Sequence, residues 1–388
     1  MEKFFLCSPP SDGKGWVSMD FNFYMPVRVV SGEGCLRGAG GPLREMGRRC
    51  LVVTGGHSAQ MSGALGDLLD TLREAGVEAT VFPGISANPL ISQCQAAAFA
   101  AEACRAQFLV GVGGGSVMDA VKATAWLAAN SAGDGGRLFQ EDGLRHPPLP
   151  FALVGTTAGT GSEVSAAAVL TDDRTGRKRS VTHPHCFARV VFADPRYTDS
   201  MPRATTVSTA LDALAHAAEG WFAPACGDVV TAFGEKALPM LCDGLRALAA
   251  SEAPPSKETR DRLFYGSLWA GMVLCATGTA FPHPLGYVLT EDFGVPHGMA
   301  CAAFQPAFLR RAERFAPERA QALFALCGGR DAYFSLLDAL VDVRQVRMTA
   351  DQADGYASRW TNVKNFARTP GGFTAQEGVA LLRELFVR

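Results

Sequence analysis

Between residues 50 and 194 the chain alternates compact apolar runs with longer segments of helical period. Cys50-Leu51-Val52-Val53-Thr54, Ala79-Thr80-Val81-Phe82, Phe108-Leu109-Val110-Gly111-Val112, Phe151-Ala152-Leu153-Val154, Ala166 to Leu170 and Val190 to Ala193 read as strands. Helical patterns lie between them, from about Gly63 to Ala75, from Asn88-Pro89 to about Arg105, and from Val117 to about Ala129. Strands that are apolar throughout, separated by helices, predict a parallel sheet with helices on both faces. Residues 22 to 35 read as a short hairpin or edge strand followed by a turn, and Asn130 to Pro150 as a surface loop. After about Met201 the helical period continues to the end with no convincing strand. The expected division is therefore an α/β domain over residues 1–198 and an all-helical domain over 199–388.

Composition adds exclusions. A length of 388 residues accommodates two cores. The 36 basic and 38 acidic side chains leave a net charge of -2, so nothing electrostatic points to a nucleic acid or an anionic membrane. The short basic run Arg174 to Arg179 reads as a solvated turn. Eleven cysteines without a C-x-x-C pair suit reduced thiols in a cytoplasmic protein. Met1 to Val17 does not read as a signal peptide. Leu263 to Thr290 carries no Asp, Glu, Lys or Arg, but its glycines and prolines fit a buried helix and a turn better than a membrane span.

Two kinds of chemistry stand out. Asp212 and His216 are four residues apart in an Ala- and Leu-rich helical stretch, so both can face one spot. Such a pair alone is more often a surface hydrogen bond than half of a coordination shell. The apolar surroundings of His283 and His297 favour the second reading, because a buried imidazole without a partner is costly. Cys301, four residues after His297, could face the same spot, but core packing is the stronger reading. Gly113-Gly114-Gly115-Ser116 sits where a strand passes into a helix, where backbone amides and a helix N-terminus suit a phosphate. It is not the G-x-G-x-x-G fingerprint. Thr156-Thr157-Ala158-Gly159-Thr160-Gly161-Ser162-Glu163 brings hydroxyls and amides to the same edge.

Four segments, Gly113 to Lys122 with Asp119, Thr156 to Glu163, Asp212 to Glu219, and Gly294-Val295-Pro296-His297-Gly298, resemble the iron-dependent (group III) alcohol dehydrogenases in order and spacing. The resemblance runs from about Phe21 to Leu385. It implies an α/β dinucleotide domain followed by an all-α metal domain, the fold shared with dehydroquinate synthase. It implies Asp212, His216, His283 and His297 as ligands of Fe2+ or Zn2+, and an NAD(P)(H) site that includes Gly55, Asn88, Gly114, Gly115, Ser116, Asp119, Thr156, Thr157, Thr160 and Lys178. The implied reaction is reversible hydride transfer between the cofactor and a small primary alcohol or aldehyde, in a homodimer. Two departures carry weight. No acidic residue follows the first strand, in Thr54-Gly55-Gly56-His57-Ser58, so NADP(H) is as acceptable as NAD(H) and slightly favoured. Tyr287 stands where many members carry a further histidine that helps proton exchange. The segment from His283 to Thr290 is similar to the branch that includes phosphonoacetaldehyde reductases. Competing readings are a related polyol dehydrogenase or dehydroquinate synthase-like enzyme, and a nucleotide-binding protein without turnover.

Overall fold

The computed structural model describes residues 21, 23–130, 133–140 and 145–387. The expectation about Met1 to Val17 lies outside them. Two compact units form. The first comprises residues 25–206 and 256–264, and the second residues 207–255 and 265–387 with Phe21, Phe23 and Tyr24.

In the first unit the order is β1 (Arg28–Ser31), α1 (Gly40–Met46), β2 (Arg49–Thr54), α2 (Ser58–Met61), α3 (Ala64–Glu74), β3 (Glu78–Phe82), α4 (Ile91–Ala103), β4 (Phe108–Gly113), α5 (Gly115–Asn130), β5 (Phe151–Gly155), β6 (Ala167–Thr171), β7 (Lys178–Thr182) and β8 (Val190–Ala193). Six strands form a sheet in the order β1-β8-β5-β4-β2-β3, with every pair parallel. All residues of β4, β5 and β8 are buried, as a parallel strand covered on both faces requires. The core gathers Val52, Val110, Val154 and Phe192 from the sheet with Leu65, Leu68 and Leu72, one stripe of α3.

Of the two readings of residues 22 to 35 the edge strand holds, since β1 pairs parallel with β8 at the sheet edge. Two details differ from the sequence reading. β6 leaves the main sheet and pairs antiparallel with β7. The basic run from Arg174 therefore ends inside a strand. Its turn is closed by Gly176 at φ +66, and Asp172 caps it by accepting from the Arg174 amide.

The second unit is helical: α6 (Arg203–Trp221, from Val207 onward), α7 (Asp228–Ala250), α8 (Lys257–Thr277, from Tyr265 onward), α9 (Pro282–Phe293), α10 (His297–Ala302), α11 (Gln305–Phe315) and shorter helices as far as Phe386. The units divide at residues 206/207, where the expected position was 198/199. The start of α8 counts with the α/β unit, because the Arg260 guanidinium donates to the carbonyls of Thr198 (2.6 Å) and Met201 (3.1 Å). No single helix among the described residues is long and apolar enough to cross a membrane, and the charge-free segment folds as α8 and α9, bent by 112°.

Candidate active site

Residues 210–221 of α6 are all buried, so this helix can carry polar side chains only where something satisfies them. Asp212, His216 and Glu219 follow one another at i, i+4 and i+7, on one face. The Asp212 Oδ1 atom lies 3.8 Å from His216 Nε2, 3.6 Å from His283 Nε2 and 3.8 Å from His297 Nε2. These separations are too long for hydrogen bonds. They are close to the spacing of about 3.4 Å between tetrahedral donors that share an ion at about 2.1 Å. Asp212 Oδ1 and His283 Nε2 are fully buried and have no hydrogen-bond partner. Two orphaned donors that face each other across one point are what a cation would satisfy, so the residues fit a divalent metal. Burial opposes the Asp212 charge, but the imidazoles of His216, His297 and His283 outweigh it and hold the carboxyl below its ordinary range.

Behind the donors, the Glu219 carboxylate accepts from His283 Nδ1 (2.9 Å), the Ala280 amide (2.7 Å) and Gln305 Nε2 (2.9 Å). The bond to Nδ1 places the lone pair of His283 on Nε2, toward Asp212. Sequence reasoning quoted Glu219 without giving it a task, although its spacing from Asp212 and His216 on one helix could have revealed one. Gln305, a lone amide between Phe304 and Pro306, gave little signal. Glu219→Gln is expected to weaken metal affinity by about 10- to 100-fold with the fold intact. Competition against a coloured chelator measures this, and unchanged affinity would remove Glu219 from the site.

The His297 side chain is 26 % exposed, against 4–6 % for Asp212, His216 and His283, so solvent reaches the donors from its side. Tyr287 stacks on the His297 ring at 5.3 Å. Cys301 is buried, as core packing implies, yet its Sγ lies 3.7 Å from both nitrogens of His297 and within 4.8 Å of the Asp212 and His283 donors. A cavity of about 380 Å³ lined by Trp360, Val363, Phe366 and Phe373 contains none of these side chains.

In the α/β unit the glycine loop follows β4 and opens α5. A Cβ on Gly114 would meet Thr157 Cγ2 at 2.8 Å, and one on Gly115 would meet Thr160 Cγ2 at 2.5 Å, so the two loops touch only because these positions lack side chains. Gly55 approaches the Ile85 carbonyl in the same way, with its Cβ position 3.1 Å from that oxygen. The Asn88 amide donates to Ser116 Oγ (3.2 Å) from a residue at φ +54. The structure thus brings Asn88, Gly114, Gly115, Ser116, Thr157 and Thr160 together at the ends of parallel strands. Thr156 follows β5, its Oγ1 buried without a hydrogen-bond partner. Lys178 opens β7 opposite Thr171.

Asp119 has a different place from the expected cofactor contact. Its oxygens accept from Ser162 Oγ (2.5 Å) and the Val169 amide (2.9 Å). The buried Lys122 ammonium donates to the Ser162 (2.8 Å) and Ala167 (2.7 Å) carbonyls. Both side chains brace the Thr156–Glu163 loop from behind. Burial pushes the Glu163 carboxyl up to about 6, and its Oε2 has no partner. A folded pKa above the unfolded value near 4.5 favours folding only where the group is protonated, and that advantage is lost as pH rises through 6. Glu163→Gln is therefore expected to stabilise the protein by ~2 kcal/mol at pH 8 and to match the parent near pH 4.5. Urea unfolding at both pH values measures this, and an equal difference at both would refute it.

A parallel nucleotide-type sheet in one unit and a carboxylate–imidazole cluster in an all-helical second unit are the parts that metal-dependent nicotinamide oxidoreductases use. Comparison with known proteins narrows this. The profile of the iron-containing alcohol dehydrogenases matches residues 26–195, and that of the Fe-containing alcohol dehydrogenase family, C-terminal, matches residues 206–351. The 1,3-propanediol dehydrogenase of Klebsiella pneumoniae is 33% identical over 326 residues, covering 82% of this chain and 80% of its own. An iron-containing alcohol dehydrogenase of Thermotoga maritima superposes with a TM-score of 0.86 at 33% identity, covering 94% of this chain and 99% of that one. The sulfoacetaldehyde reductase of Bifidobacterium kashiwanohense, solved in complex with NAD+, gives a TM-score of 0.84 at 26% identity, with 95% and 99% covered. The chain belongs to the iron-containing alcohol dehydrogenase family.

Proposed function

We propose that this oxidoreductase interconverts small primary alcohols and aldehydes with NAD(P)(H) at a divalent iron or zinc held by Asp212, His216, His283 and His297. The observation that carries the reading is the pair of buried, unsatisfied donors, Asp212 Oδ1 and His283 Nε2, 3.6 Å apart and flanked by two further imidazoles. When bound, the ion supplies Lewis acidity toward the substrate oxygen, and the nicotinamide gives or takes the hydride. Glu219 fixes the His283 tautomer, and the exposed edge of His297 leaves a side for substrate to enter. Tyr287, stacked on that ring, or a water chain beside it, takes the part of passing the alcohol proton to solvent. Gly114, Gly115 and Ser116 receive the pyrophosphate, while Asn88, Gly55, Thr156, Thr157, Thr160 and Lys178 line the remainder of the cofactor site, with Asp119 acting through Ser162.

No carboxylate occupies residues 54–58, so NADP(H) is accepted at least as well as NAD(H). The edge strand β1 is the one a second copy would extend in a homodimer, and the cytoplasm is the expected location. Relatives act on both neutral and charged substrates by their names, propanediol in one and sulfoacetaldehyde in another, so the substrate follows from residues particular to this chain. Metal analysis of the purified protein, followed by an aldehyde panel with NADH and NADPH, tests the reading. About one equivalent of iron or zinc and chelator-sensitive coenzyme oxidation are expected. Turnover that survives complete metal removal would overturn it.

A further inference from the structure

The short helix α10 repeats the spacing that α6 uses. His297 and Cys301 are four residues apart, as Asp212 and His216 are, so one face of α10 carries an imidazole and a thiol toward the same place. Two glycines let α10 come so near. A Cβ on Gly298 would lie 2.8 Å from the Cβ of Asp212, and one on Gly286 of α9 would lie 2.9 Å from Cys301 Sγ and 3.0 Å from the Cys301 amide nitrogen. The bare faces of these glycines leave the thiol beside the donors with no spacer between.

Core packing accounts for the burial of Cys301 but not for its neighbours. Cys104, at the end of α4, turns its thiol to a backbone carbonyl, that of Ala101 (3.5 Å). Cys301 Sγ instead lies 3.7 Å from both nitrogens of His297. With Asp212, His283 and His297 it forms a group whose donor atoms all come within 4.8 Å of one another, and no other such group of His, Cys, Asp or Glu occurs among the described residues. A second observation is independent of the sulfur. Asp212 Oδ1 and His283 Nε2 are fully buried without a hydrogen-bond partner, so the thiol faces a place that already requires a cation.

We propose that Cys301 Sγ is a fifth donor to the metal and that it makes the site select zinc over iron. The inference rests on the metal-dependent reading above and names its metal. Imidazole and carboxylate serve Fe2+ and Zn2+ alike, whereas a thiolate is a soft ligand that suits zinc, and the Irving–Williams order acts in the same direction. The thiol proton passes to solvent as the ion binds. The sulfur stands beside His297 and does not replace Asp212, on which all three imidazoles converge.

The full-length protein is stripped with a chelator and reloaded without oxygen, using zinc, cobalt, or equal amounts of zinc and ferrous iron. X-ray absorption of the zinc protein is expected to show one sulfur at about 2.3 Å beside nitrogen and oxygen donors. The cobalt protein is expected to show a sulfur-to-metal charge-transfer band in the near ultraviolet, lost in Cys301→Ser and kept in Cys104→Ser. From the mixture the parent takes zinc, and Cys301→Ala lowers the zinc-to-iron ratio by about tenfold or more. A zinc protein with nitrogen and oxygen neighbours alone, or a cobalt band that persists in Cys301→Ser, would overturn the sulfur donor. An unchanged ratio in Cys301→Ala would overturn the zinc preference. In each of these cases a parent that binds metal and turns over leaves the oxidoreductase reading standing. If the parent binds no metal at all, that reading fails and the sulfur donor with it.

Discussion

Asp212→Ala is expected to leave a folded protein that binds nucleotide but retains less than about a tenth of an equivalent of metal, with turnover reduced about a thousandfold or more. The size follows from the place of this carboxylate. Its Oδ1 is the one atom within 3.6–3.8 Å of all three imidazole nitrogens, and it supplies the only negative charge among the four donors. Three neutral imidazoles without it leave the ion's charge uncompensated in a buried site. The nucleotide loops belong to the α/β unit, so coenzyme binding followed by fluorescence serves as the internal control. Asp212→Asn keeps the volume and should behave alike, which separates lost charge from a cavity. Full activity in a metal-free Asp212 variant would end the proposed chemistry.

Much of the α/β unit was legible because central parallel strands are buried on both faces and so read as unbroken apolar runs, as in β2, β4 and β5. The strand β7, Lys178-Arg179-Ser180-Val181-Thr182, did not, since a two-stranded hairpin outside the main sheet can keep charged residues on its faces. Nor could periodicity show that the start of α8 belongs with the α/β unit. The helical pattern runs on without a break, and the bonds from Arg260 to two distant carbonyls leave no trace in it. In the helical unit, Asp212 and His216 could be paired from their spacing alone. His283 and His297 come from other helices, so spacing could not join them to the pair; their apolar, charge-poor surroundings suggested the link and likeness to a family supported it. Asp119 shows the opposite limit: its place beside a glycine loop suggested a cofactor contact, and spacing gave no sign that its oxygens accept from Ser162 Oγ and the Val169 amide.

Gly298→Ala is expected to be the most damaging single methyl group in the protein. A Cβ there would strike the Ser208 carbonyl oxygen and lie 2.8 Å from both the amide nitrogen and the Cβ of Asp212. Two of these three atoms are backbone of α6, a buried helix that has no flexible side chain to move aside. The overlap must push α10 away from α6, and His297 is the residue just before Gly298. Overpacking alone costs about 1–3 kcal/mol in a core that can adjust, and a rigid backbone contact puts this case at or beyond the upper end. A shift of about 1 Å also takes His297 Nε2 out of reach of an ion centred on Asp212, since a metal site tolerates only about 0.5 Å. Urea unfolding and metal titration should both register the change. Gly355→Ala provides the comparison: it lies in a helix with open space around its Cβ, and it should be neutral or stabilising by up to ~1 kcal/mol. A Gly298→Ala protein with the parental midpoint and metal content would mean that α10 does not press against α6, and the close packing that brings His297 to Asp212 would have to be abandoned.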